Sequence, residues 1–298
     1  MNYRTIGKSG LKVSETSLGC MSLLKASREE ATRIMNGAID AGINYFDTAD
    51  LYDKGANEEL IGILLKPVRD RVILATKVGN QWRADGSGWD WNPTKKYILK
   101  AVDESLRRLQ TDHIDLYQLH GGTIEDPVDE TIDAFEQLVQ QGKIRHYGIS
   151  SIRPNVIRAY VEKSNIISVM LQYSILDRRP EETILDLLHT SGIGVMVRGA
   201  LSQGLLTGKT PKEYLGHSSS TINFAAELLK DRADATDTTP AALATQYALR
   251  HPAISSVVTG IRTLEQLREA LAPQPEPDNA WLGQLKQSVP ARQYEAHR

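Results

Sequence analysis

Short apolar runs rich in β-branched residues alternate along this chain with longer amphipathic ones. The strand-like runs are 14–19 (SETSLG), 44–50 (NYFDTAD), 72–78 (VILATKV), 113–120 (HIDLYQLH), 144–151 (IRHYGISS), 168–174 (SVMLQYS), 194–200 (GVMVRGA) and 254–260 (ISSVVTG). Helical periodicity follows each of them, over 27–41, 57–66, 94–110, 128–142, 155–163, 181–191, 240–250 and 263–271. Ser27 with Glu30 reads as a capping box, and Pro127 and Pro240 suit first helical turns. Gly42, Gly142 and Gly192 follow helix ends, where a left-handed residue closes the last turn.

Strands alternating with helices imply a parallel sheet with right-handed crossovers. Eight such units in about 250 residues predict an α/β fold of the closed (β/α)8 TIM-barrel type. A doubly wound open sheet fits less well. Its phosphate-binding turn would follow the first strand, and that strand runs instead into GCMSLLKASREE, with no G-x-G-x-x-G. The first dozen residues read as a β-hairpin ahead of the barrel, placed to cap its bottom. Residues 201–239, between strand seven and its helix, read as one long irregular loop, a length usually reserved for function. After Leu271 the run APQPEPDNA is Pro-rich, and a short helix follows it. No composition break divides the chain, so 1–298 is expected to be one domain.

Bulk composition narrows the classes. Hydrophobic residues make up 41% and charged residues 24%, as in an ordinary soluble globular protein. A formal net charge of −2 supplies no field that would favour nucleic acid or an acidic membrane. Cys20 is the single cysteine, which excludes an intrachain disulfide and suits a reducing compartment. The start, MNYRTIGKSGLKVS, has no apolar h-region, and no run approaches the roughly 18 apolar residues of a membrane span. A cytoplasmic protein without nucleic-acid or membrane partners is the expectation. Oligomeric state is not written in these residues.

Active sites of parallel barrels form at the C-terminal ends of the strands. Strand two ends at Asp47, with Tyr52 just beyond; strand three ends near Lys77, and strand four at His120. Strand five ends at Ser150 and Ser151, strand six carries Gln172, strand seven Arg198, and strand eight leads to Gly260 and Arg262. Each has a plain structural alternative. Asp47 suits a helix cap, His120 a satisfied polar position, and Tyr52 packing. Lys77 stands in an apolar strand, where an unpaired ammonium is costly. At matched depths on adjacent strands the four are far more specific than any one.

Their chemistry is coherent. Tyrosine is a poor acid, with a reference pKa of about 10. A nearby Lys77 ammonium would stabilise the tyrosinate, and Asp47 would keep that lysine charged and oriented. Tyr52 would then give a proton to a carbonyl oxygen as hydride reaches the carbon. A neutral His120 would hydrogen-bond the same oxygen. Proton and hydride come from different donors, so a hydride-carrying cofactor is required.

FDTADLY, LATKV, DLYQLH and YGISS together resemble the aldo-keto reductase superfamily, over about residues 3–271. The run DLYQLH…ETIDAFEQLVQQGKIRHYGISS is its most specific part. Its details are similar to bacterial proteins of the general-stress or vegetative type, in the branch related to potassium-channel β subunits. The resemblance implies a catalytic tetrad of Asp47, Tyr52, Lys77 and His120, with Tyr52 as general acid. It also implies NADPH as cofactor and a small-molecule aldehyde or ketone as substrate, with carbonyl detoxification as one role.

The resemblance further implies an extended NADPH across the rim, with no Rossmann turn. Ser150, Ser151 and Gln172 would hold the carboxamide, Ser151 having helix capping as its alternative. Gly19, Met21 and Asp47 are further contacts from the same rim. In RGALSQGLLTGK, residues Gly199, Ala200, Leu201, Gln203, Gly204 and Lys209 resemble the pyrophosphate-embracing segment. Part of it, QGLLTGKT, is a near miss to a nucleotide P-loop, but Gln203 stands where the first glycine is needed. Relatives often place a tyrosine where Arg198 stands. Its guanidinium either stacks on the nicotinamide instead or leaves the ring loosely held. Gly260 and Arg262 open the last helix, where Arg262 would pair with the 2′-phosphate. Gln266 and Glu269 either face the adenine or form a solvated helix face.

Trp82, Trp89 and Trp91 lie in one loop after Lys77. They either wall an apolar substrate pocket, with Trp82 beside Tyr52 and His120 and with Met21 and Leu23 added, or cover the barrel top. Three rivals to the reductase reading differ in chemistry. A Schiff-base aldolase using Lys77 is disfavoured by its acidic and phenolic neighbours. No metal is expected, because the seven histidines form no H-x-H or H-E-x-x-H pair. A non-enzymatic NADPH sensor or auxiliary subunit is the third, against which the intact tetrad weighs.

Overall fold

The computed structural model describes residues 1–273 and 278–298. Eight parallel strands close into a barrel: β3 (Thr16–Gly19), β4 (Tyr45–Asp47), β5 (Ile73–Val78), β8 (Ile114–Leu119), β9 (Ile144–Ser150), β10 (Ser168–Gln172), β11 (Gly194–Arg198) and β12 (Ile254–Gly260). Helices α1 (Arg28–Asp40), α2 (Ala56–Leu65), α3 (Lys95–Leu109), α4 (Val128–Gln140), α5 (Pro154–Lys163), α6 (Ile184–Thr190), α8 (Pro240–Leu249) and α9 (Leu264–Ala270) follow them. All sixteen are the elements that the periodicity predicts, with ends shifted by up to three residues. Ser27 Oγ accepts from the Glu30 N–H, as a capping box requires. Gly42, Gly142 and Gly192 have φ of +90°, +72° and +66°.

Strand β1 (Tyr3–Thr5) pairs antiparallel with β2 (Lys12–Ser14), which is the expected hairpin. It does close the bottom of the barrel. Ile6 and Val13 are fully buried among Tyr45, Leu116, Met170 and Met196, which fill the barrel interior. Lys8 N–H donates to Gly192 O at 3.0 Å, and the Arg4 guanidinium reaches Leu249 O at 2.7 Å. A larger apolar layer lies between the strands and the ring of helices.

Three elements depart from the sequence expectation. The stretch 201–239 is not one irregular loop, because Ser219–Ala235 forms a helix, α7. Ser218 caps it by accepting from the Thr221 N–H, but its buried stripe is only Ile222, Ala225, Leu229 and Ala233. So narrow an apolar stripe gives weak periodicity. Residues Asn80–Trp82 (β6) and Trp89–Trp91 (β7) form a hairpin over the barrel top. The expected tail helix is α10, Asn279–Ser288. Of the Pro-rich run before it, 274–277 lie outside the described residues. No helix of the described residues is long and apolar enough to cross a membrane.

Candidate active site

The C-terminal strand ends surround a cavity of about 620 Å³. Asp47, Tyr52, Lys77 and His120 all line it, so the structure brings the four expected groups together. Register explains this. Asp47 pairs with Ala75 across β4 and β5, which puts Lys77 one pleat higher on the same face. Lys77 in turn pairs with Gln118, and His120 follows the end of that strand. Lys77 Nζ donates to Asp47 Oδ2 at 2.5 Å and to Thr48 O at 2.7 Å. The Gln118 amide donates to Asp47 Oδ1 at 3.3 Å. Nζ lies 5.4 Å from the centroid of the Tyr52 ring. The Tyr52 and His120 rings meet edge-on, 5.8 Å between centroids.

Burial sets the charge states. It pushes the Lys77 ammonium down, but Asp47 and Tyr52 outweigh it, so the lysine titrates above its ordinary value. Burial also raises the Asp47 carboxyl, against the opposing pull of Lys77 and the Gln118 amide. The short contact with Asp47 and the upward shift of the lysine favour an ammonium paired with the Asp47 carboxylate. His120 is pushed down to about 3, by burial first and then by the charges of Lys77 and Arg198. Its ring is therefore neutral near pH 7. Its Nδ1 is buried with no partner.

Tyr52 sits on a strained turn. Asp53, Lys54 and Gly55 are all left-handed, with φ of +48°, +56° and +90°. Ser202, Gln203 and Gly204 form a second such run at the same rim, with φ of +48°, +62° and +90°. Non-glycine residues in this region cost about 1–3 kcal/mol each and cluster at functional sites.

The other expected residues divide. Gly19, Met21, Ser150, Ser151, Arg198, Gly199 and Gly260 line the cavity. Gln172, Ala200, Leu201, Gln203, Gly204, Lys209, Arg262, Gln266 and Glu269 stand outside that lining. Ala200 is buried. Gln172 has its amide engaged by Arg198, Asp177 and Tyr214. Lys209 Nζ donates to Gln203 O at 2.6 Å, which folds its segment back on itself. Gln266 Oε1 accepts from the Arg262 N–H at 2.9 Å, and Thr263 caps the helix, so Gln266 serves the helix start. The Arg262 and Glu269 side chains are exposed.

Trp82 stands outside the lining of the central cavity and borders a neighbouring groove with Asp50, Tyr97 and Arg108. Its indole N–H needs an acceptor and finds Leu51 O at 3.2 Å, bracing the segment that carries Tyr52. Trp91 packs between Gly79 and Gly121 and donates to Asp126 at 2.9 Å, so it covers the barrel top. Leu23 is fully buried in the core and is no wall residue. Sequence reasoning missed Ser22, Leu51, Gly121, Gly122, Ile152, Arg153, Met170 and Val258 in the lining. Their nearness to strand ends was the available signal.

With the closed parallel barrel and the four side chains at its C-terminal rim in place, comparison with known proteins gives the family. Residues 16–273 match the aldo/keto reductase family, and the chain belongs to that family. It is 51% identical over 278 residues to the uncharacterized oxidoreductase YqkF of Bacillus subtilis, covering 90% of each chain. It is also 31% identical over 310 residues to the L-glyceraldehyde 3-phosphate reductase of Escherichia coli K12, covering 90% of this chain and 86% of that protein. Among solved structures, the holo form of aldo-keto reductase AKR11C1 from Bacillus halodurans superimposes with a TM-score of 0.93. It is 48% identical, with 100% of this chain and 99% of that one covered. These matches are consistent with the channel-β-subunit-like branch.

Proposed function

We propose that this chain, acting as one domain, reduces aldehydes or ketones to alcohols with NADPH, and that Tyr52 is the general acid. One observation carries the reading: a buried Lys77–Asp47 ion pair lies directly beside Tyr52 and His120 in the central cavity. The rim fits an extended dinucleotide. A Cβ added at Gly260 would meet nothing within 4 Å, so the backbone there leaves room for a ligand. Arg262 forms no ion pair among the described residues and is free to meet a phosphate. Lys209 adds a second cation at the rim.

When bound, NADPH would supply the hydride for the carbonyl carbon. Tyr52 delivers the proton to the carbonyl oxygen, and Lys77 stabilises the negative charge that this leaves on the phenol oxygen. Asp47 holds the ammonium in place, with the Thr48 carbonyl as its second anchor. Because His120 Nδ1 is buried, Nε2 is the nitrogen that meets the substrate oxygen, and a neutral ring donates there without competing for the proton. Ser150, Ser151 and Arg198 are the cavity residues suited to the nicotinamide end, with Arg198 offering a planar guanidinium. Gln203, Gly204 and Lys209 suit the pyrophosphate, and Arg262 the 2′-phosphate. A lysine held as an ammonium is a poor Schiff-base nucleophile, which weighs against the aldolase alternative. The lone cysteine, buried and free, suits the cytoplasm. Sugar phosphates belong among the candidates, since one relative is named for such a substrate.

The test is a panel of aldehydes and ketones followed by loss of NADPH absorbance. Oxidation matched by alcohol formation is expected for at least one class. Tight NADPH binding without oxidation by any carbonyl would favour the sensor role.

A further inference from the structure

We propose that Asp177 is a positioning residue that fixes the guanidinium of Arg198 at the cavity wall, acting through the Gln172 amide. The proposal rests on the reading that a nicotinamide binds there. Asp177 is 1% exposed and lies in the turn after β10. Its N–H donates to Ser174 O at 3.1 Å and to Ser174 Oγ at 3.0 Å, which locks the turn. Its carboxylate accepts from Arg179 Nε and Nη2, both at 2.8 Å, and from Gln172 Nε2 at 2.8 Å.

A carboxylate only accepts hydrogen bonds, so the NH2 end of Gln172 must face Asp177. Its second hydrogen goes to Tyr214 OH at 3.1 Å. The amide oxygen is thereby turned the other way, and it accepts from Arg198 Nη1 at 3.0 Å. A guanidinium only donates, so both ends of the amide demand the same orientation. Gln172 Oε1 is the one hydrogen-bond acceptor that the Arg198 guanidinium has among the described residues. Arg198 is exposed, and a long exposed side chain loses its position to rotamer entropy unless it is anchored. The relay has a further support: Tyr294, near the C-terminus, lies 5.0 Å from the Arg179 guanidinium and is itself buried.

Asp177→Asn keeps the size but offers an NH2 to Gln172, which permits the amide to turn its own NH2 towards Arg198. Dissociation constants are measured for NADPH and for 2′,5′-ADP, which lacks the nicotinamide. Asp177→Asn should weaken NADPH roughly tenfold, the size of one lost charged hydrogen bond. It should change 2′,5′-ADP by less than about twofold. In an Arg198→Met background the same substitution should add nothing to the NADPH loss. Equal weakening of both ligands, as a merely structural role would give, overturns the proposal, and so does an additive double variant. If Asp177→Asn does not fold, Asp177→Ser, whose hydroxyl can also donate to Gln172, carries the same prediction and the same contrary results. Should the wild-type chain bind 2′,5′-ADP but not NADPH, or neither, the cofactor reading fails first and takes this proposal with it.

Discussion

Lys77 Nζ stands 2.5 Å from Asp47 Oδ2, and the two side chains are 1% and 6% exposed. An ion pair so far from water is weak evidence for stability, but breaking it is expensive. Asp47→Asn leaves a buried ammonium with neutral oxygen acceptors only, and Lys77→Met leaves a buried carboxylate with one amide. Each single variant should lose about 3–5 kcal/mol, read from urea unfolding. The double variant Asp47→Leu with Lys77→Met should recover much of that loss. Single variants as stable as wild type would mean that the pair is solvated.

The neutral His120 gives stability a defined pH dependence. Its folded pKa of about 3 lies below the unfolded value near 6.5. Between those values the unfolded chain binds the extra proton, so this residue costs stability as pH falls from 6.5 towards 3, and nothing above 6.5. The slope is at most about 1.4 kcal/mol per pH unit. His120→Gln should therefore flatten the fall in unfolding free energy between pH 6.5 and about 4. An unchanged slope would place the wild-type ring in water.

Two helical glycines should respond to alanine with opposite signs. A Cβ at Gly62 in α2 would lie 2.6 Å from Arg108 O, so α2 and α3 touch backbone to backbone there. Gly62→Ala should destabilise by about 1–3 kcal/mol despite the better helix former. At Gly283 in α10 an added Cβ meets nothing within 4 Å. Gly283→Ala should stabilise by up to about 1 kcal/mol. Thermal melts of the two variants check both signs.

Arg262 bears on cofactor choice. Arg262→Ala should weaken NADPH by roughly tenfold or more and leave NADH nearly unchanged, since only NADPH carries the 2′-phosphate. Titration of both dinucleotides decides it, and a matched loss would remove Arg262 from that role.

The barrel was legible because most of its strands are concentrated apolar runs, and the amphipathic helices between them mark the places of the more polar β3 and β9. Helix α7 was not, because four small or medium residues on one narrow line hold it. The candidate quartet Asp47, Tyr52, Lys77 and His120 was legible because strand ends in a parallel barrel share one rim, so adjacency in space follows from strand order. Side-chain direction was not. The sequence left Trp82 between pocket wall and barrel-top cover, and only the fold shows that its indole N–H finds Leu51 O. Gln172 looked free to meet a ligand, but Asp177, which orients its amide, comes from the turn five residues on. Such pairings depend on how loops fold back, which hydrophobic periodicity does not encode.

The most direct measurement is single-turnover reduction of an accepted aldehyde by Tyr52→Phe loaded with NADPH. Loss of the phenol proton should slow the step by about 10²–10⁴-fold, while the NADPH dissociation constant stays within about twofold of wild type. Reduction at the wild-type rate, or a parallel collapse of NADPH binding, would contradict proton delivery by Tyr52.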